Sequence, residues 1–119
     1  MSMSSAERGV RYRKRHPEYR VRWRKRNPEA HAHNNALTRR LRARGQAYID
    51  SLKTGPCVDC GGQFPPYVKQ FDHRDPSRKS FQIGTAALKR FSVLDAEAEK
   101  CDVVCANCHA VRTQRRRVL

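Results

Sequence analysis

Lys100-Cys-Asp-Val-Val-Cys-Ala-Asn-Cys-His-Ala-Val-Arg-Thr113 is the stretch that organises the chain. A two-residue gap lets Cys105 and Cys108 turn onto one ion, and zinc takes four such ligands tetrahedrally at roughly 2.3 Å. The matching pair is Cys57-Val-Asp-Cys60, and Gly61-Gly62 relieves crowding as the chain leaves that knuckle. Cys57, Cys60, Cys105 and Cys108 are therefore read as ligands of one Zn²⁺. Four thiolates close the shell, so the ion is expected to be structural. Two redox-active Cys-x-x-Cys motifs are the competing reading, but the thioredoxin-like βαβ context is missing. Cys101, the odd thiol of the 5 cysteines, is read as a small buried apolar side chain rather than a ligand or redox sensor.

The chain has 119 residues, 38% apolar, with a formal net charge of +15. That allows one small domain plus an appendage, and a core modest enough to need a staple such as a metal. No apolar run approaches the roughly 20 residues of a membrane span, and Met1–Arg15 contains no apolar segment of a secretory signal. A reducing cytosol is the expected location, and cysteines there favour metal over disulfides. The charge is uneven. Residues 1–44 hold 14 Lys/Arg against 3 Asp/Glu, and the remaining 75 hold 12 against 8. The expected organisation is a basic, mostly helical arm over 1–54 and a nearly balanced domain over 55–119.

The arm repeats itself: Tyr12-Arg-Lys-Arg-His-Pro-Glu18 returns as Trp23-Arg-Lys-Arg-Asn-Pro-Glu29. Asn27-Pro28-Glu29 fits a helix start, with Asn as N-cap, Pro at the first position and Glu in the first turn. Because each proline disfavours helix in the preceding residue, short helical pieces are expected to break near 16 and 27. A longer helix is expected over 29–51, with Ala36, Leu37, Leu41, Tyr48, Ile49 and Leu52 as a partial apolar stripe and Gly45 weakening its middle. Arg13, Lys14, Arg15, Arg24, Lys25, Arg26, Arg39 and Arg40 are read as nucleic-acid contacts, since counterion release rewards such a cation density on a duplex. Such contacts position rather than specify. A solubilising disordered tail is the bland alternative, and membrane insertion lacks a broad apolar face.

Between the knuckles, Tyr67–His73 alternates like a strand. Asp75-Pro76-Ser77 opens a turn, and Phe81-Gln-Ile83 is either a returning strand or a tie-down of the loop. Ser92-Val-Leu-Asp95 has capping-box spacing for a helix to about Lys100. A last helix is expected from His109, with Arg112 and Arg115 read as further nucleic-acid contacts. The fold class is α+β.

The Asp72-His73-Arg-Asp-Pro76 run, Lys79, Phe81, Ile83 and the Lys100–Thr113 stretch together resemble the HNH (His-Me finger) endonucleases of the zinc-knuckle type, as in small phage and bacterial proteins. A more distant likeness is to phage recombination endonuclease VII. The resemblance covers 55–115. It implies a small ββα-metal domain stapled by the four-cysteine zinc site, with one Mg²⁺ or Mn²⁺ held between Asp72 and His109. His73 would activate water for in-line attack on double-stranded DNA, leaving a 5′-phosphate and a 3′-hydroxyl. Imidazole suits that role because it titrates near neutrality, and a hard carboxylate suits Mg²⁺. Arg74 and Lys79 are candidate contacts to the scissile strand, or else solvated loop charges.

One departure from the family is visible. Its middle Asn, which helps orient the catalytic His, falls here on Lys100 or Cys101. Asp102, a main-chain carbonyl or Asn107 are the candidates to replace it. An ordinary His beside an Asp is the bland reading of Asp72-His73, and a helix-start or zinc-competing residue that of His109. The competing function is a non-catalytic zinc module that binds nucleic acid. No dimerisation element is evident, so a monomer is the simpler expectation.

Overall fold

The structure, a computed structural model, describes residues 2–118. The chain separates into two compact units, Met1–Thr38 and Arg39–Leu119.

In the first unit, α1 spans Ser5–Arg15, α2 spans Glu18–Arg26, and α3 starts at Pro28. A full capping box starts α1: Ser4 Oγ accepts from Glu7 N–H while Glu7 accepts from Ser4 N–H. The two repeats end alike. His16 and Asn27, each before a proline, leave helical geometry at φ −126 and −129 and donate their N–H groups to the Tyr12 and Trp23 carbonyls. The expected breaks at 16 and 27 are therefore present. Asn27, expected to cap α3, instead sends its side-chain amide back to the Trp23 carbonyl at 3.0 Å.

The second unit begins earlier than the composition implied, at residue 39 rather than 55. The cause is the end of α3 (Pro28–Ser51), which is core and not arm. Ile49 is fully buried with Ile83, Ala86, Leu94 and Cys101, and Tyr48, Leu52, Phe71, Phe81 and Phe91 pack around them. Gly45 also reads differently in three dimensions. It is buried, and a Cβ there would lie 1.7 Å from the Ala87 carbonyl oxygen. Glycine at 45 is what lets the 86–88 loop lie directly on α3.

The sheet has two antiparallel strands, β1 (Lys69–His73) and β2 (Cys101–Cys105), pairing Asp72 with Asp102 and His73 with Cys101. The partner of β1 is therefore the segment leading into the second knuckle. Phe81–Ile83 is the loop tie-down, with Ile83 buried at the start of a 3-10 turn. Tyr67, read into the strand, lies in a 3-10 turn and is 86% exposed. Helix α4 spans Phe91–Ala98 and α5 spans Ala106–Val118. The capping box at Ser92 is not formed: the N-cap is Arg90, two residues earlier, Phe91 stacks on Tyr48 at 3.9 Å, and Asp95 accepts from the Tyr48 hydroxyl instead. The observed fold is thus a small mixed unit, helices around a two-stranded sheet.

Candidate functional site

The sulfurs of Cys57, Cys60, Cys105 and Cys108 all lie within 4.8 Å of one another. Tetrahedral zinc with Zn–S near 2.3 Å needs S···S of about 3.8 Å, so the set fits a metal such as zinc with little adjustment. The backbone prepares it. Gly61 takes φ +72, closing the first knuckle by its N–H bond to the Cys57 carbonyl. Main-chain N–H groups of Cys105 and Cys108 donate to Cys57 Sγ and Cys105 Sγ at 3.2 and 3.4 Å. Burial raises the Cys57 thiol, but N–H donors from Cys60, Cys105 and Asp59 outweigh it and hold the group at about 6. Cys108 is pushed up to about 12, first by its hydrogen bond with Cys105 and then by burial. The Cys57 thiolate forms readily while the Cys60 and Cys108 thiols are raised, an asymmetry that a cation would remove. Cys101 stands apart, buried and pushed up to about 11 by desolvation and then by the Glu97 charge.

Four residues of α5, at positions 109, 112, 113 and 116, repeat at helical spacing. Three of them meet β1. Arg112 donates to both Asp72 Oδ2 and Asp102 Oδ2, at 2.9 and 3.0 Å, and grips Asp59 with two further bonds. Asp72 and Asp102 face each other across the ladder, a like-charge pair that would destabilise the sheet without this shared cation. Arg116 adds bonds to both Asp72 oxygens at 2.8 Å. The Asp72 side chain is buried, at 2% exposure. Burial raises its carboxyl, but hydrogen bonds from Arg116 and Arg112 prevail and hold it below the usual carboxylate range.

His109 approaches the same carboxylate, Nε2 to Oδ1 at 3.5 Å, while its Nδ1 bonds to Gln70 Oε1. With the Gln70 oxygen as acceptor, Nδ1 carries a proton, and Nε2 is the ring nitrogen turned to Asp72. Two ligands of one octahedral Mg²⁺ at about 2.1 Å would stand about 3 Å apart. The Asp72–His109 separation of 3.5 Å is near that spacing, while both Asp72 oxygens are held by Arg112 and Arg116. Gln70, overlooked in the sequence, is the residue that orients His109.

His73 is also buried, and its Nε2 lies 2.8 Å from Glu97 Oε1. Glu97, 3% exposed at the end of α4, additionally accepts from Ser80 N–H and from Lys100 Nζ. Burial raises its carboxyl, yet hydrogen bonds from Lys100, Ser80 and His73 bring it down to about 2. An ionised carboxylate only accepts, so His73 Nε2 carries a proton and donates it to Glu97. The ring partner of His73 is therefore Glu97, and neither Asp102, which pairs with Arg112 and Arg74, nor the exposed Asn107.

Asp72, His73 and His109 line one cavity of about 370 Å³ together with Lys53, Lys79 and Arg116. Consecutive β1 residues 70 to 73 all reach it, so it lies along the strand's unpaired edge, where neighbours pointing to opposite faces meet the same space. Lys53 was not anticipated. Its ammonium sits over the Phe71 ring at 5.6 Å, and burial lowers its pKa.

The basic residues divide into two groups. Arg13, Lys14, Arg15, Arg24, Lys25 and Arg26 fill the last turns of α1 and α2, and with Arg39, Arg40, Lys79 and Arg115 they are exposed. Arg112 is committed to three carboxylates. Arg74 is partly committed, donating to the Cys101 carbonyl at 3.0 Å, to Asp102 at 3.1 Å and to the Glu99 carbonyl. Among the described residues no helix is long and apolar enough to cross a membrane. Comparison with protein-family models, curated proteins and solved structures finds no match to this chain.

Proposed function

We propose that the chain is a metal-dependent endonuclease of the HNH type, hydrolysing a phosphodiester of double-stranded DNA. The observation that carries this reading is the convergence of Asp72, His73 and His109 on one cation-rimmed cavity, with Glu97 behind His73. The order β1, β2, α5 with the four-cysteine cluster at its junction supports a ββα-metal domain stapled by zinc.

His73 Nδ1 takes the proton of the attacking water, and Glu97 stabilises the imidazolium that results. Water oxygen bonds to phosphorus as the bond to the 3′-oxygen breaks, leaving a 5′-phosphate and a 3′-hydroxyl protonated from solvent. Lys53, Lys79 and Arg116 line the space where the phosphate would rest. A divalent cation on Asp72 and His109 would supply positive charge for the phosphate and the leaving oxygen. The exposed arginines and lysines of α1 and α2 hold the duplex backbone.

A non-catalytic zinc module is the second reading, favoured by Arg112 and Arg116, which neutralise Asp72 without any divalent ion. The test is a Mn²⁺ titration of the zinc-loaded protein, paired with end analysis of a labelled duplex. The nuclease reading expects one Mn²⁺ site lost in Asp72→Asn and products ending in 5′-phosphate. Duplex binding with neither Mn²⁺ uptake nor cleavage would establish the zinc module instead.

A further inference from the structure

We infer that the arm contains a separate site for an unpaired nucleobase with its flanking phosphates, centred on Trp23. This rests on the nucleic-acid reading but adds a ligand that a continuous duplex does not present. The site is a cleft of about 490 Å³ lined by Arg13, Tyr19, Arg20, Trp23, Arg24 and His31, all within the first unit. That volume lies within the range of small-molecule sites, roughly 300–1,000 Å³.

Each aromatic wall is held in place. The Trp23 carbonyl accepts both the N–H and the side-chain amide of Asn27, at 2.9 and 3.0 Å. The Trp23 ring meets His31 edge-to-face, at 6.5 Å and 87°, and the His31 Nε2 contacts Asn35 at 3.2 Å. Tyr19 is edge-on to Tyr12 at 5.7 Å. With Trp23 and His31 at 87° to one another, a planar ligand can stack on the face of one ring and meet the other edge-on, and rings already in contact lose little freedom on binding.

The charge of the cleft selects the ligand further. Three guanidiniums line it and no acid does, so the planar group should carry anions on either side. A nucleotide within a single strand meets both demands. A paired base has its faces covered by its neighbours, whereas an unstacked one offers them to aromatic and guanidinium planes. Substrates with a gap, flap, bulge or frayed end are thus the ones this arm would hold best.

The chain contains 1 tryptophan, so tryptophan fluorescence reports on Trp23 and its surroundings. The full zinc-loaded chain is titrated, without added Mg²⁺, with a short oligo(dA), an abasic strand of equal length and a duplex. Fluorescence and strand anisotropy are followed in parallel. Oligo(dA) should quench Trp23 and bind about tenfold tighter than the abasic strand, with His31→Ala and Tyr19→Ala removing that preference but not duplex binding. Equal quenching and equal affinity for oligo(dA) and abasic strand would overturn the base site while leaving the arm a phosphate binder. Absence of binding to all three would overturn the nucleic-acid reading as well.

Discussion

His73 and Glu97 stand 2.8 Å apart, Nε2 to Oε1, each almost completely enclosed. The carboxylate fixes the ring with Nε2 as its donor, an orientation that suits a general base. Glu97→Gln is expected to lower cleavage about 10- to 100-fold, the usual cost of losing an orienting partner, and to shift the pH–rate profile. Glu97→Asp should recover part of the rate. A variant that folds normally and cuts at the wild-type rate would remove Glu97 from the account. The same carboxyl makes a stability prediction. Its folded pKa of about 2 lies below the ordinary 4.5, so its contribution is complete above about 4.5 and is lost as pH falls towards 2. Thermal melts from pH 6 to 2 should show wild type losing its advantage over Glu97→Gln across that interval.

Gly45 makes a prediction against helix propensity. Gly→Ala inside a helix ordinarily stabilises by about 1 kcal/mol. At 45 the new methyl would meet the Ala87 main chain at 1.7 Å, and backbone cannot swing aside as a flexible side chain does. Overpacking of this kind costs about 1–3 kcal/mol, so Gly45→Ala should melt lower than wild type. A raised Tm would refute the packing of the 86–88 loop on α3.

Removing the metal of the four-cysteine cluster should unfold much of the second unit, since structural zinc supplies free energy on the order of 10 kcal/mol. Far-ultraviolet circular dichroism during chelation should show cooperative loss, restored by Zn²⁺. Proton release on Zn²⁺ addition should also be measurable at pH 7, because Cys108 sits at about 12 while Cys57 sits at about 6. Cys101→Ser should leave zinc stoichiometry unchanged.

Arg112 and Arg115 lie three residues apart and should behave oppositely. Arg112 holds Asp59, Asp72 and Asp102. Arg112→Ala strands partly buried carboxylates, at a cost of about 3–5 kcal/mol for a buried site and less for this partly exposed one. Arg115 is exposed, and Arg115→Ala should leave Tm unchanged while weakening DNA binding and reducing its salt dependence. Similar Tm values for the two variants would contradict the division.

These contrasts mark what could be read from the chain. The two cysteine pairs were legible because ligand spacing is local, and the breaks at His16 and Asn27 because proline acts on its neighbour. Asp72 and His109 were legible only as a pattern. Glu97 was not, since it lies 24 residues from His73 within Ala-Glu-Ala-Glu-Lys, which reads as a solvated helix end. The β1–β2 register, setting His73 opposite Cys101, is what carries the end of α4 to the imidazole. Arg112 resembled its neighbours in every local respect. Only the facing of Asp72 and Asp102 across the sheet distinguishes it. Gly45 was read as a weakness because the loop it accommodates is 42 residues away.

Relaxation of a supercoiled plasmid shows most directly whether His73 is the base of a metal-dependent nuclease. Wild type and His73→Ala are compared with and without Mg²⁺, with plasmid binding measured alongside. Nicking by wild type should require the metal and be abolished in His73→Ala, at nearly unchanged affinity. Equal nicking by both proteins, or bound plasmid left intact by wild type across Mg²⁺ and Mn²⁺, would contradict that role.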